Sequence, residues 1–502
     1  MKSLGKVFFI IFITSCGRFS LDYDQKEGIT IYEGDILIAS GDSGLYNSFV
    51  QDRSGGIHIV YYQIPRATIL WSYSSNLKKG FEKTEIVEQA GQGDNFGLSS
   101  KVIVDSSNKP HVIYIKHLEG GESRFRMYHS WREDEGKWLS QEIQTCGFES
   151  KAERLDAIID PEDIIHIAYI GTDKKLYYTS MRTNGEHISC ETIDPAVGEL
   201  SRVPSGGAIS DCVNMVIDSA GTIHVSYYDS ENGNLKYAFK KKGEQVWEVS
   251  TPGWQKVFNE EIKLSQITPG EYTAELKFPS NEAKADTYIF AVGPGGRKEV
   301  PKDFWRFRGV KNIVFSGNII GPDKEFNLNM RFYVSYVRTD TSPEDEGMFC
   351  AVSYNDLLAP NIAFYDSTNM KIKFAQKNGE IWEVEEVEPA PVGGRINLVN
   401  FKIEDKSVPA IIYSDSLRST IRILIKNPNY SSEEDKWIKS TVLSQSSAGY
   451  HLFSSFMPIY GKLGISYIKI VKGSFELYFS IFDVIREIKE AIRKQKNNNQ
   501  QI

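Results

Sequence analysis

The sequence is short of positive charge. Lys and Arg number 58 against 66 Asp and Glu, a net charge of −8 over 502 residues. No basic stripe breaks that balance, which excludes the electrostatic footprint of a nucleic-acid-binding protein. Cysteine is scarce, with 5 in the chain. There is no Cys-x-x-Cys, no His-Glu-x-x-His and no phosphate-cradling Gly-rich loop ending in Lys-Ser or Lys-Thr. The metal and nucleotide chemistries that those spacings serve are therefore not expected, and neither is a cofactor. Long apolar runs are also missing: Val7–Ile13 is far shorter than the ~20 residues that cross a bilayer as a helix.

That short run has a specific context. Lys2 and Lys6 precede it, and Ile13-Thr14-Ser15-Cys16 closes it. The pattern resembles a bacterial lipobox, in which the Cys thiol forms a thioether to diacylglycerol. The resemblance implies that residues 1–15 are a signal peptide, that Cys16 is lipidated, and that 16–28 form a tether holding the protein to a membrane. Gly17, where Asp would retain a Gram-negative lipoprotein, implies an outer-membrane destination in the cell envelope. Periplasmic and surface sides both stay open.

What the sequence has in abundance is aromatic residues: 26 Tyr, 27 Phe and 8 Trp. They sit in short alternating runs, as strands prefer. The runs repeat. Asp52 to His58-Ile-Val-Tyr61, Asp105 to His111-Val-Ile-Tyr114, Asp160 to His166-Ile-Ala-Tyr169 and Asp218 to His224-Val-Ser-Tyr227 share one turn-then-strand pattern. Degenerate copies lie at Asn361 to Tyr365, Ala410 to Tyr413 and Gly464 to Tyr467. A preceding apolar strand, a third strand such as Leu235-Lys-Tyr237, and a fourth led by Trp138, Trp247 or Trp437 complete each unit. Four short antiparallel strands repeated seven times predict an all-β, seven-bladed β-propeller. The chain resembles bacterial propellers with degenerate Asp-x-x-Gly-x-x-His-aliphatic-x-Tyr repeats, distantly similar to sialidase-type propellers. The resemblance covers about 50–250 and 347–482 and speaks to architecture, not activity.

Blades 1–4 are expected within 29–252 and blades 5–7 within 347–482. The last unit lacks its own fourth strand, so residues 29–39 are expected to close that blade and hide its open edge. The polypeptide would then enter from the end opposite the loop-rich face. Residues 253–346 exceed the repeat by one long segment with strand signals but no Asp turn, which predicts an inserted, small β-sandwich-like domain beside the channel mouth. Val484, Ile485, Ile488 and Ile492 have helical spacing. A short C-terminal helix is expected over 483–496, with a disordered tail at 497–502.

Cys212 and Cys350 each precede an acidic position of the repeat (218 and 356) by six residues. They could therefore meet on neighbouring innermost strands as a disulfide, or remain two buried thiols. Cys146 and Cys190 fall near the rim and are left unpaired. The histidine recurring once per repeat reads as a local hydrogen-bonding element, since a metal would need several to converge. Gly41-Asp-Ser43-Gly44 resembles a serine-protease nucleophile segment without its partners, and reads as chance. Ser48, Lys101, Asp156 and Asn214, each four residues before its repeat's Asp, would face the channel and are the candidate lining of an axial polar pocket. The reading that follows is a tethered, non-catalytic binding protein whose loop-rich face and inserted domain take a glycan, peptide or protein. The alternatives are a surface glycosidase or lyase, which needs Arg and carboxylate groups converging on one pocket, and a structural subunit of an envelope assembly.

Overall fold

The computed structural model describes residues 34–486 apart from internal stretches, the longest being 147–154, 198–212 and 277–286. The signal peptide, Cys16 and most of the tether lie outside the described residues. The chain divides into two compact units, the second comprising residues 251–343 and 375–385.

Among the described residues every sheet is four-stranded and antiparallel, and there are nine. Seven follow the repeat. Blade 1 is Ser43–Gln51, Ile57–Gln63, Thr68–Ser74 and Lys83–Gln89. Blade 2 is Asn95–Val104, Pro110–Leu118, Arg124–Arg132 and Trp138–Glu142. Blade 3 is Leu155–Ile159, Ile164–Ile170, Leu176–Arg182 and His187–Asp194, and blade 4 is Val213–Ile217, Ile223–Asp229, Asn234–Lys240 and Glu248–Ser250. Blade 5 runs Glu346–Tyr354, Pro360–Asp366, Lys371–Asn378 and Ile381–Pro389; blade 6 runs Val392–Ile403, Lys406–Asp415, Thr420–Lys426 and Trp437–Leu443. Blade 7 takes Ala448–Met457, Lys462–Val471 and Ser474–Phe482, with Ile36–Ala39 as its fourth strand.

The first strand of each blade packs on the first strand of the next, and the seventh returns to the first. That ring is a propeller. Second strands such as Ile57–Gln63 and Ile223–Asp229 are buried on both faces, because each blade is covered by a neighbour on either side. Their sequences are accordingly near-continuous apolar runs rather than strict alternations. Apolar clusters sit between successive blades, for example Val60, Trp71 and Tyr114 between blades 1 and 2, and Ile412, Ile423 and Ile465 between blades 6 and 7.

Ring closure joins chain positions more than 430 residues apart. Ile36 faces Phe479 and Leu37 faces Tyr478 in an antiparallel pair. Just before that strand, Asp35 accepts hydrogen bonds from Tyr467 Oη and Ser480 Oγ, both at 2.6 Å, and from the Lys469 ammonium. At the other terminus Asp483 caps a helical turn beginning at Val484, accepting from the Arg486 amide at 3.0 Å. The remaining two sheets form the inserted unit. Gln255–Ile262, Arg331–Thr339, Thr287–Gly293 and Gly296–Val300 make one; Ser265–Thr268, Glu271–Glu275, Asn312–Phe315 and Trp305–Arg308 make the other. They share an apolar core that includes Tyr272, Ile289, Ile313, Phe315 and Val334.

The disulfide differs from the one the spacing suggested. Cys146 and Cys190 are bridged, with Cα atoms 5.5 Å apart. Cys350 carries a buried thiol instead, and Cys212 lies outside the described residues. The reason is register. In blade 5 the turn residue equivalent to Asp218 is Asn355, whose side chain accepts from the amides of Leu357 and Ala359 just as Asp218 accepts from those of Ala220 and Thr222. Asp356 is one residue too far along. Cys350 is therefore one position out of phase with Cys212 in the repeat, and the equal six-residue spacing that suggested the pair does not hold. The bridge that does form ties the outer region of blade 2 to that of blade 3 and closes a 44-residue separation, worth about 4 kcal/mol by loop entropy.

Candidate functional site

The recurring histidines are built into the turns. Asp52 Oδ1 accepts from the amides of Ser54 and Gly56, both at 2.8 Å, and its Oδ2 meets His58 Nε2 at 3.1 Å. The same carboxylate–imidazole contact recurs at Asp105–His111, Asp160–His166 and Asp218–His224, between 3.2 and 3.5 Å. On the far side of the ring, His166 Nδ1 meets Tyr178 Oη and His224 Nδ1 meets Tyr237 Oη, both at 2.6 Å, while His111 Nδ1 meets His129 Nε2 at 2.9 Å. A carboxylate only accepts, so His58, His111 and His224 donate from Nε2 to their aspartates. In blade 5 both partners change together, to Asn355 and Asn361. Burial raises Asp52, but its hydrogen bonds from His58, Ser54 and Gly56 outweigh that and hold the carboxyl well below its usual range. Burial lowers His58 and His166 against the pull of their aspartates. The repeated His fastens its blade and is not a ligand set; among the described residues no cluster of His, Cys, Asp or Glu could hold a metal.

The four residues chosen as pocket lining are found on the innermost strands, but they are spent on holding blades together. Ser48 Oγ accepts from the Val102 amide of the next blade at 2.9 Å. Asp156 Oδ2 accepts from the Met215 amide and from Asn214 Nδ2, each at 2.9 Å. Asn214 Oδ1 accepts from the Val352 amide at 2.8 Å, and Asn397 repeats the device on Ser454 at 3.3 Å. An innermost strand has no strand on its axial side, so its inward amides need acceptors from somewhere. The side chain four before the turn of the preceding blade supplies one. Lys101 completes the chain with an ion pair to Asp156 Oδ1 at 2.6 Å, its ammonium 5.0 Å from the centre of the Phe453 ring. Lys101, Asp156 and Asn214 are thus one connected group and Ser48 a separate tie. Ala157 N–H takes the last lone pair of Asp156 Oδ1 at 3.0 Å, leaving that buried carboxylate fully engaged rather than poised for proton transfer.

Two buried polar atoms without a partner lie at the other end of the same strands. A cavity of about 560 Å³ opens between the innermost strands of blades 5 and 6, reaching Val216 in blade 4 and Ser454 and Ser455 in blade 7. Its hydroxyl and amide groups come from Ser353, Asn400, Ser407, Ser454 and Ser455; Val352, Leu398, Val399 and Phe401 add apolar wall. Ser454 is 6% exposed and its Oγ has no hydrogen-bond partner, nor does Asn400 Oδ1. The Asn400 amide donates to Ser353 Oγ at 3.1 Å and to the Tyr354 carbonyl, which fixes the orientation of its orphaned oxygen. At the mouth Asp356 and Lys402 stand 3.9 Å apart. The volume suits a small ligand, and the wall is hydroxyls, amides and apolar patches, with one carboxylate and one ammonium at the rim.

These residues were not singled out from the sequence. The signal was there, though weak. The position two before the turn is aliphatic in Val50, Ile103, Ile158, Val216 and Val399, but Ser353 and Ser455 replace it in blades 5 and 7. Polar residues clustered at one level of the last three blades mark the cavity. The loop-rich face chosen as the ligand platform lies partly outside the described residues, chiefly at 147–154 and 198–211.

Comparison with known protein families and with curated protein sequences finds no match. Among solved structures, the chain is similar to NanB in complex with Optactamide, at 11% identity over 91% of this chain and 71% of that one, TM-score 0.42. It is also similar to Trypanosoma rangeli sialidase in complex with sialic acid, at 9% identity, 95% and 59% coverage and TM-score 0.41. It thus spans less than two thirds of that sialidase's length. A third likeness is to Aleuria aurantia lectin, at 8% identity, 83% and 100% coverage and TM-score 0.36.

Proposed function

We propose that this protein is an exported, lipid-tethered binding protein that holds a neutral, hydroxyl-rich ligand, a saccharide chain, in its axial cavity without covalent chemistry. The observation that carries the reading is the pair of orphaned acceptors, Ser454 Oγ and Asn400 Oδ1, in a 560 Å³ wall of hydroxyl, amide and apolar groups. A pyranose offers the complement: hydroxyls at its edge and a C–H face. Burying a polar atom without a partner costs about 1–3 kcal/mol, so a ligand hydroxyl that satisfies one gains by it. Against a glycosidase stands the saturation of Asp156 by four donors, since glycoside hydrolysis needs two carboxyl groups available to one substrate.

Calorimetric titration with a panel of neutral oligosaccharides tests the site. Asn400→Ala with Ser454→Ala should weaken the best binder by roughly 5–150-fold, the loss of about 1–3 kcal/mol, with the melting temperature reported alongside to separate binding from folding. Equal binding by the variant, or none to any neutral saccharide, removes the proposal. The tether has its own test: Cys16→Ser should move the protein from the membrane fraction to the soluble one, and retention of the variant in membranes would refute lipid anchoring.

A further inference from the structure

We infer that the cavity takes its ligand from a bilayer, as the saccharide head of a membrane-borne glycolipid, with the protein seated cavity-down on the lipid surface. The inference rests on the binding reading above and adds the source of the ligand. It follows from strand direction. Ser474–Phe482 runs toward the Asp-turn end of the ring, as Ala448–Met457 does, and Ile36–Ala39 is antiparallel to it. The polypeptide before Asp35 therefore enters at the Asp-turn end, which is also where Asp483 leaves. The cavity opens there too, since its rim holds the turn residues Asn355, Asp356 and Leu358. Seventeen residues separate Cys16 from Gly34, a reach of at most about 60 Å.

The same end carries exposed apolar tips on the blades that form the cavity. Leu357, in the first turn of blade 5, is 87% exposed; Val246 and Tyr430, in the loops between third and fourth strands of blades 4 and 6, are 70% and 48% exposed. The side chains of Lys241, Lys242 and Lys402 are more than half exposed on this end, each paired with a carboxylate, that of Glu244, Glu162 and Asp356 respectively. Single aliphatic or aromatic tips at the end where the tether enters suit the interface of a bilayer. A ligand whose lipid part stays in that bilayer can present its head upward into the opening.

The full-length lipidated protein is reconstituted in phosphatidylethanolamine–phosphatidylglycerol vesicles, with or without the neutral glycolipid fraction of the producing cell. A third arm supplies the deacylated, water-soluble head groups of that fraction. Amide exchange is followed at 353–359 and 398–403. Glycolipid vesicles should slow exchange there at least tenfold relative to vesicles without it, and Asn400→Ala should abolish the effect. Leu357→Asp should reduce protection by vesicle-borne glycolipid while leaving that by soluble head groups unchanged. Protection by soluble heads alone overturns the membrane source and leaves the saccharide site standing. Protection by neither overturns both.

Discussion

Replacing Asp35 by alanine should lower the stability of the propeller by about 3–5 kcal/mol, the range for removing one partner of a buried ion pair. The effect is large for one residue because of what would be stranded. Lys469 is 8% exposed and Tyr467 fully buried, and both donate to Asp35 along with Ser480. Without the carboxylate, an ammonium is left in a low-dielectric interior with only the Tyr467 and Tyr478 rings beside it, and the Tyr467 and Ser480 hydroxyls keep only their mutual contact at 3.3 Å. The four-residue strand that follows is too short to hold the seventh blade by its backbone pairing alone. Exchange protection at 474–482 should collapse with the same midpoint shift that thermal unfolding reports. Asp35→Ala combined with Lys469→Met should recover part of the loss, since the stranded charge is gone. A melting temperature unmoved by Asp35→Ala would mean that the ring is held shut elsewhere.

The contrast between that lock and the cavity shows which parts of the molecule could be read from the sequence. The repeat announced itself because the Asp turn has one solution: an acid oxygen on two amides, a glycine or small residue where the chain reverses, and a histidine six residues on. Four such units and three degenerate copies at the same spacing imply a ring. Blade closure was legible for the same reason, because a unit missing its fourth strand leaves an edge that must be paired. Ser48, Lys101, Asp156 and Asn214 were placed correctly on the axial strands, but their role depends on neighbours contributed by the next blade. Asn214 binds an amide 138 residues away, and no local pattern reports whether a polar side chain is already engaged. The misjudged cysteines turn on the same limit. Whether Asn355 or Asp356 plays the part of Asp218 is decided by which one accepts from the turn amides, and that choice shifts the count back to Cys350 by one residue.

Acid should unfold this protein earlier than its ordinary carboxylate content implies. His58, His129 and His166 are buried and their folded pKa values lie below the usual 6.5, with His129 pushed down to about 3 by burial and by His111 beside it. In the unfolded chain each titrates near 6.5, so the unfolded state binds more protons as pH falls below that value. The contribution of these groups is therefore complete above about pH 7 and is lost as pH falls through each folded pKa, which for His129 lies at about 3. Each such histidine adds up to about 1.4 kcal/mol of loss per pH unit, and three acting together make the slope steep. Asp52, held below its usual range, and Glu85, held at about 2 by Arg132, Lys83 and Trp138 despite its partial burial, add a further loss below pH 4. The urea midpoint, flat between pH 8 and 7, should drop steadily from pH 6.5 to 4. His129→Gln, which has no ionisable ring to keep neutral, should reduce that slope by about one proton. A midpoint independent of pH from 7 to 5 would show that the rings admit protons in place, and with it the neutral Asp–His–Tyr arrangement that fastens the blades would have to be abandoned.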